Sequence, residues 1–288
     1  MMRLSILPLA CLVLANGVVA SPFVKGPGER GAQYIYSEGL TRNIVGQNGK
    51  IIEGANSEGS GPSYDILTTS HTLMTTYGLP DAMDVSLGFT FKSVDGEKKD
   101  FQGITDIMLK WKYMFGVWTP FYTGVSLGYH NPGKDYETNS IDAPGTHSQS
   151  VPLSLSAAYY EPENFPLMAG VDLTYDYRED DVPDQTKLRF DLYYVHPRFS
   201  LGGFYGMVES LDGIPLDPKD PEWQKAVKKN KGKQPFHRLD EKYNFVGGSL
   251  YGNLDKGSIG ISYSEKLLKG MRNSDINSNV SFILGYTF

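Results

Sequence analysis

The chain has 288 residues and one cysteine, Cys11, with 27 Lys and Arg against 33 Asp and Glu. This mildly acidic balance gives no support for nucleic-acid binding, and a lone cysteine excludes a disulfide framework. A mean hydropathy of −0.32 and the want of any long apolar run after the first twenty residues exclude a bundle of membrane helices. Neither excludes a transmembrane β-barrel, whose apolar residues are hidden at alternate positions.

The first element is a leader. Arg3 opens it, about a dozen apolar residues follow, and Val18-Val19-Ala20 closes it. That is the layout of a secretory signal peptide over residues 1–20, leaving residues 21–288 as one domain. Cleavage there would remove Arg3 and Cys11. Basic residues would fall from 27 to 26 against 33 acids, a net charge of −7, in an exported chain that needs no disulfide.

Beyond the leader the dominant signal has a period of two. In "GITDIMLKWKYMF", Ile107, Leu109, Trp111, Tyr113 and Phe115 share one face, opposite Asp106, Met108, Lys110, Lys112 and Met114. In "PLMAGVDLTYDYR", Leu167, Ala169, Val171, Leu173, Tyr175 and Tyr177 oppose Gly170, Asp172, Thr174, Asp176 and Arg178. A helix would repeat its apolar residues every three to four, so these segments are strands. Twelve of them begin near Gln33, Asp65, Met83, Gly103, Pro120, Ser150, Pro166, Lys187, Arg198, Tyr243, Ser258 and Asn277. Strands one, two and ten have too much Thr, Ser and Gly for their facing to be read.

The connections sort by length. Short turns fall at 78–82, 116–119, 161–165, 196–198 and 253–256; longer polar connections fall at 40–64, 94–102, 131–149, 179–186, 210–241 and 267–275. Five short turns and six long loops are what twelve antiparallel strands give when both ends of the chain lie on one side of a membrane. Aromatic residues cluster at both strand ends, with Tyr113, Phe115, Tyr159, Tyr194 and Phe199 near short turns and Tyr36, Phe91, Tyr129, Tyr177, Tyr205 and Tyr263 near long loops. Such rings favour the membrane–water interface, apolar in body and polar at the tip. The expected fold is therefore all-β, a closed antiparallel transmembrane barrel of about twelve strands. The last strand, "NVSFILGYTF", alternates Val280, Phe282, Leu284, Tyr286 and Phe288. It must pair with the first strand to remove both sheet edges. Its terminal Tyr286 and Phe288 resemble the C-terminal signature of bacterial outer-membrane proteins, which implies the barrel assembly machinery as a partner.

A barrel of this size leaves a narrow lumen. A hairpin register pairing positions that sum to 363 sets Asp176 against Lys187, Thr174 against Arg189 and Asp172 against Asp191. Asp172, Asp176, Arg178, Lys187, Arg189 and Asp191 then form a mixed-charge ladder on the inner wall. It reads either as a brace for the wall or as part of a solute path. Pairing around residue 118 sets Lys112 against Gly124 and Lys110 against Ser126, with Asp106 further along. Those lysines either attract an anionic or polar solute or pair with Asp84 or Asp106.

The longest loop, 211–241, carries Lys225, Lys228, Lys229, Lys231 and Lys233, and "PEWQKAVKKN" suits a short helix capped by Asp220. It reads as a solvated loop, a contact for lipopolysaccharide phosphates, a steering surface for anions, or a segment folded into the mouth. Signals for chemistry are weak. His147, Ser148 and Ser150 sit together in "GTHSQS" but lack the spacing of barrel lipases, and His71, His130, His147, His196 and His237 are too scattered for a metal site. No cofactor is expected.

Residues 64–136 carry Tyr77-Gly78-Leu79, Gly103-Ile104-Thr105-Asp106, Lys112-Tyr113 and Pro132-Gly133-Lys134. In these motifs the chain resembles the outer-membrane transporter family named for the MetA pathway of phenol degradation. It departs where that family usually has Pro-Thr-Gly and this chain has Asn131-Pro132-Gly133. The resemblance implies a non-enzymatic outer-membrane channel for a small organic solute, anionic or aromatic, in contact with outer-membrane lipid and lipopolysaccharide. The alternatives are a plugged barrel that binds a surface or partner through its loops and, less favoured, a lipid hydrolase.

Overall fold

The computed structural model describes residues 23–45, 47–48, 51–52, 66–95, 100–134, 147–161, 165–179, 181–215, 217, 219–229 and 236–288. The expected signal peptide at 1–20, Lys231 and Lys233, and the core of the turn at 162–164 lie outside the described residues.

The described chain is a closed antiparallel barrel of twelve long strands: β1 (Arg30–Val45), β2 (Ile66–Leu79), β3 (Met83–Asp95), β4 (Phe101–Trp118), β5 (Phe121–Pro132), β6 (Ser150–Glu161), β7 (Phe165–Arg178), β8 (Gln185–His196), β9 (Phe199–Ser210), β10 (Lys242–Leu254), β11 (Gly257–Arg272) and β12 (Ser274–Thr287). Ile51–Ile52 adds a two-residue pairing to Val45 and Ile44. Each strand pairs with its sequence neighbours, and β12 closes on β1 from Gly31↔Thr287 to Val45↔Ser274. Beyond the Gly31–Thr287 pair, the Phe288 N–H donates to the Arg30 carbonyl at 3.0 Å. Among the described residues no long edge is left to recruit another chain.

Alternation decides what faces where. Leu109, Leu127, Leu155, Leu173, Leu192, Leu201, Leu250, Leu284 and their neighbours point outward and are exposed, while Ser126, Ser154, Ser156, Asp176, Asp191, Ser249 and Ser262 point inward and are buried. The ambiguous strands follow the same rule: β1 turns Gln33, Gly39 and Thr41 inward and Tyr34 outward, β2 turns Leu67 and Leu73 outward, and β10 turns Ser249 and Tyr251 inward. An apolar outside around a polar inside is the reverse of a water-soluble barrel.

Two rows of rings bound the apolar belt. Phe115, Tyr194, Phe199, Tyr286 and Phe288 are exposed at the short-turn end, and Tyr129, Tyr177, Tyr205 and Tyr263 at the long-loop end. Several outer tyrosines donate their hydroxyls to polar groups further from the belt. Tyr263 reaches Glu265 at 2.8 Å, Tyr129 reaches Gln149 at 3.0 Å and Tyr36 reaches Glu38. Each ring stays with its apolar neighbours while its tip is satisfied above them.

The strands are longer than expected, twelve to eighteen residues, because several continue past the belt. The expected loop at 267–275 is the clearest correction. β11 and β12 run through it and are joined at Asn273. Left-handed backbone at Gly270 (φ 81°) and Asn273 (φ 47°) makes the reversal there. A polar sequence outside the lipid has no reason to be irregular, since strand polarity is constrained only where strands meet acyl chains.

Candidate functional site

All six residues of the expected charged ladder lie on the inner wall, on β7 and β8. Their register differs from expectation by two residues. Asp172 faces Arg189, Thr174 faces Lys187, Asp176 faces Gln185 and Gly170 faces Asp191. The cause is the asymmetric connection at 179–184, where Asp184 Oδ1 accepts the Arg178 N–H at 2.9 Å and Asp181 adopts φ 63°. A slip of two keeps every side chain on its face; a slip of one would have inverted the wall. The ion pairs then run along strands rather than across them. Arg189 Nη2 meets Asp191 Oδ1 at 2.8 Å, and Arg178 Nε meets Asp176 Oδ2 at 3.1 Å. Asp172 accepts from Ser156 at 2.5 Å and Thr174 at 2.8 Å.

On β4, Lys112 faces Ser126 and Lys110 faces Gly128, again two residues from expectation. A bulge between Met114 and Gly116 absorbs one residue, and the strand runs on to Trp118. On its other side Lys112 faces Asp84 and Lys110 faces Ser86, while Asp106 lies between Thr90 and Pro132. Ser and Gly on β5 and β6 leave room for these long cations.

The opposite wall, β8 to β11, is tiled with rings. Tyr193 lies against Gly202, Phe204 against Gly247, Phe245 against Gly206 and Tyr251 against Gly260; a Cβ added at any of these glycines would meet the ring within 2.5 Å. Held close against glycine, these rings lie on the inner side of the wall, with Tyr193, Phe204 and Tyr251 buried. The Arg189 guanidinium sits 4.2 Å from the centroid of Phe204, and the Lys266 ammonium 4.1 Å from that of Tyr243.

What fills the short-turn end was not among the expectations. Residues 23–29 do not continue β1 outward but fold back into the barrel. Gly28 (φ 81°) makes the reversal, with Gly28 N–H donating to Gly78 O at 2.9 Å and Gly78 N–H to Glu29 O at 2.8 Å. Phe23, 4% exposed, packs with Tyr160, Met168, Tyr193, Tyr251 and Ile283. Its ring centroid lies 4.8 Å from that of Tyr122. Lys112 Nζ donates to the Phe23 carbonyl at 3.2 Å, and Asp84 accepts the Lys25 N–H at 3.3 Å. Burial holds the Lys25 ammonium below its ordinary pKa, against the pull of Glu29 and Asp84. The one available signal was Gly26-Pro27-Gly28 just ahead of β1, a reversal motif beside an aromatic residue.

The described residues of loop 211–241 fold over the long-loop end. As expected, Asp220 caps the helix α1 (Pro221–Lys229), its Oδ1 accepting the Glu222 N–H at 2.7 Å. Trp223 and Leu239 pack on Ile44 of β1. On the far side Leu211 N–H donates to Asp184 O at 2.9 Å, and Lys229 Nζ lies 3.2 Å from Asp181. The loop therefore spans from β8 to β1. The hydrogen bond from Lys229, with Arg238 nearby, holds the Asp181 carboxyl below the usual range. Burial pushes the Glu241 carboxyl up, with Asp275 adding to it against Lys266 and Arg178. Between α1 and the 179–184 connection lies a cavity of about 620 Å³ with Arg178 among its lining, so it adjoins the lumen wall. Ser148 donates to the Glu179 carbonyl at 2.6 Å, which occupies the hydroxyl weighed for lipid hydrolysis.

No protein-family model matches this sequence, and no curated protein sequence matches it. Solved structures do share its architecture. An outer membrane channel from Pseudomonas putida F1 gives a TM-score of 0.71 over 94% of this chain and 99% of the channel, at 11% identity. The translocator domain of the autotransporter NalP from Neisseria meningitidis gives 0.52 over 97% and 94%, at 12% identity. The chain has the fold of outer-membrane β-barrels. Neither match carries the MetA-pathway name that residues 64–136 suggested.

Proposed function

We propose that this chain is an outer-membrane channel through which a small organic solute passes without energy input. One observation carries the reading: a closed barrel with an apolar, aromatic-bounded exterior encloses a lumen lined by charged, hydroxyl and aromatic side chains. A barrel that only anchored its loops would have no need of inward Lys110, Lys112, Arg189 and Asp191, because buried charge costs free energy that an apolar filling avoids. The fold shared with an outer membrane channel supports the reading, as does the MetA-pathway resemblance in residues 64–136. On this view residues 1–20 direct export, Tyr286 and Phe288 are recognised during assembly, and lipopolysaccharide surrounds the long-loop end. Lys110, Lys112, Asp106 and the ladder from Asp172 to Asp191 set selectivity.

The test is the purified full chain in planar bilayers and in liposome-swelling assays. Discrete conductance steps, with swelling by small organic solutes and not by large ones, are expected. Silence at every voltage together with no swelling would remove the channel reading. The second reading, a plugged barrel that presents loop 211–241 to a partner, draws on the cover at both ends; it predicts that removing 215–235 leaves permeability negligible.

A further inference from the structure

The place held by Phe23 is built more like a binding site than like filling. Its ring lies 4.8 Å from Tyr122 and 6.1 Å, edge-on, from Tyr160. The main chain of the segment is held by side chains of the wall, Lys112 donating to the Phe23 carbonyl and Asp84 accepting the Lys25 N–H two residues on. Lys112 is 6% exposed and Asp84 3%. A wall that merely needed packing gains nothing from two charges taken out of water to grip a backbone. The occupant is also separable from the barrel. β1 begins at Arg30, so residues 23–25 can swing out about the Gly26–Gly28 turn without breaking a strand pair.

We propose that this nest is the solute subsite of the lumen, occupied here by the chain's own Phe23, and that its solutes are aromatic rings carrying a carbonyl acceptor at the spacing found in a phenylalanine residue. The inference rests on the channel reading and adds to it a ligand class and a gate. The tyrosines take the ring, and Lys112 takes the carbonyl oxygen. Asp84, which faces Lys112 across the pairing of β3 and β4, favours a neutral amide over a carboxylate. Solute and segment exclude each other, so withdrawal of Phe23 and entry of solute are linked equilibria.

The probe is 3-phenylpropanamide, the skeleton of that residue, with 3-phenylpropionate and 3-cyclohexylpropanamide as controls. The proteins are the full chain, Phe23→Ala and Phe23→Leu, with folding checked by heat-modifiable gel mobility. Losing a buried phenyl ring shifts such an equilibrium by about tenfold or more, so Phe23→Ala is expected to raise open probability by at least that factor, and Phe23→Leu by less. By calorimetry in detergent, 3-phenylpropanamide should bind Phe23→Ala at millimolar concentration and the full chain about tenfold more weakly. It should also block the variant's current better than either control. Folded Phe23→Ala that behaves like the parent, or that takes the cyclohexyl analogue as well as the phenyl compound, overturns the proposal. Currents without this discrimination would leave the channel standing and remove the subsite; discrimination in binding without any current would do the reverse.

Discussion

Gly78 has no room for a side chain: a Cβ there would sit 1.9 Å from the Gly26 carbonyl oxygen. The obstacle is backbone, which no rotamer change relieves. Gly78→Ala should therefore expel the 26–28 turn while leaving the pairing of β2 intact, and open the short-turn end as loss of Phe23 does. Single-channel recording of the folded variant checks this; a parental closed level would show that the turn can yield in place. Lys110 offers a second test at this scale, since it faces Ser86 and Gly128 across the two neighbouring pairings. Lys110→Glu replaces one positive charge by a negative one in a narrow path, where wall charges select ions strongly. The reversal potential under a salt gradient should move toward cation preference. An unmoved potential would place the current elsewhere.

The loop that covers the long-loop end is held at two points of unequal strength. Asp181, Lys229 and Arg238 form a clamp, but Asp181 is 55% and Lys229 69% exposed, and such pairs are worth about 0–1 kcal/mol. Trp223 is 4% exposed against Ile44 and Leu239, and deleting a buried indole costs about 3–5 kcal/mol. Trp223→Ala should free the loop, seen as rapid proteolysis within 211–241, whereas Asp181→Asn should change proteolysis little. The pH dependence follows the same ordering. A carboxyl held below its usual range contributes its small share at neutral pH and loses it only as the medium falls through that lowered value. The Asp181–Lys229 contact should therefore be insensitive to pH between about 5 and 8, well above the ordinary Asp value. How such elements were legible differs by kind. Facing was read correctly in β4, β7 and β8 because a period of two survives a slip of two. Register was not, because it is set by a turn bond at Asp184 and a bulge at Phe115, neither of which has a periodic signal. The helix in the cover was visible through Asp220 and Pro221, but nothing local indicates that Trp223 finds Ile44. Residues 23–29 have no period at all; Gly26-Pro27-Gly28 marks a reversal but not its direction into the lumen.

The molecule as a whole puts its exposed leucines in a continuous outer belt, and that belt separates a membrane barrel from a water-soluble one. The composition concealed this, since an average over alternating residues is nearly neutral; only the sorting of loops by length and of rings by strand end made the barrel readable. Leu155 lies at the middle of β6, points outward and is 54% exposed. In water, Leu155→Lys would be harmless or favourable, replacing an exposed apolar side chain by a charged one. In a bilayer it places an ammonium against acyl chains, costing about 2–4 kcal/mol near the midplane. Thr72 faces the other way, with its hydroxyl 3.0 Å from that of Thr90. Thr72→Lys therefore gives up one neutral hydrogen bond, about 1 kcal/mol, and leaves its charge in a polar lumen. Reversible denaturant titration of both variants in lipid vesicles should give the larger loss for the residue that is the more exposed. Equal losses would mean that the belt does not face lipid, and the leucines of all twelve strands would then require some other cover.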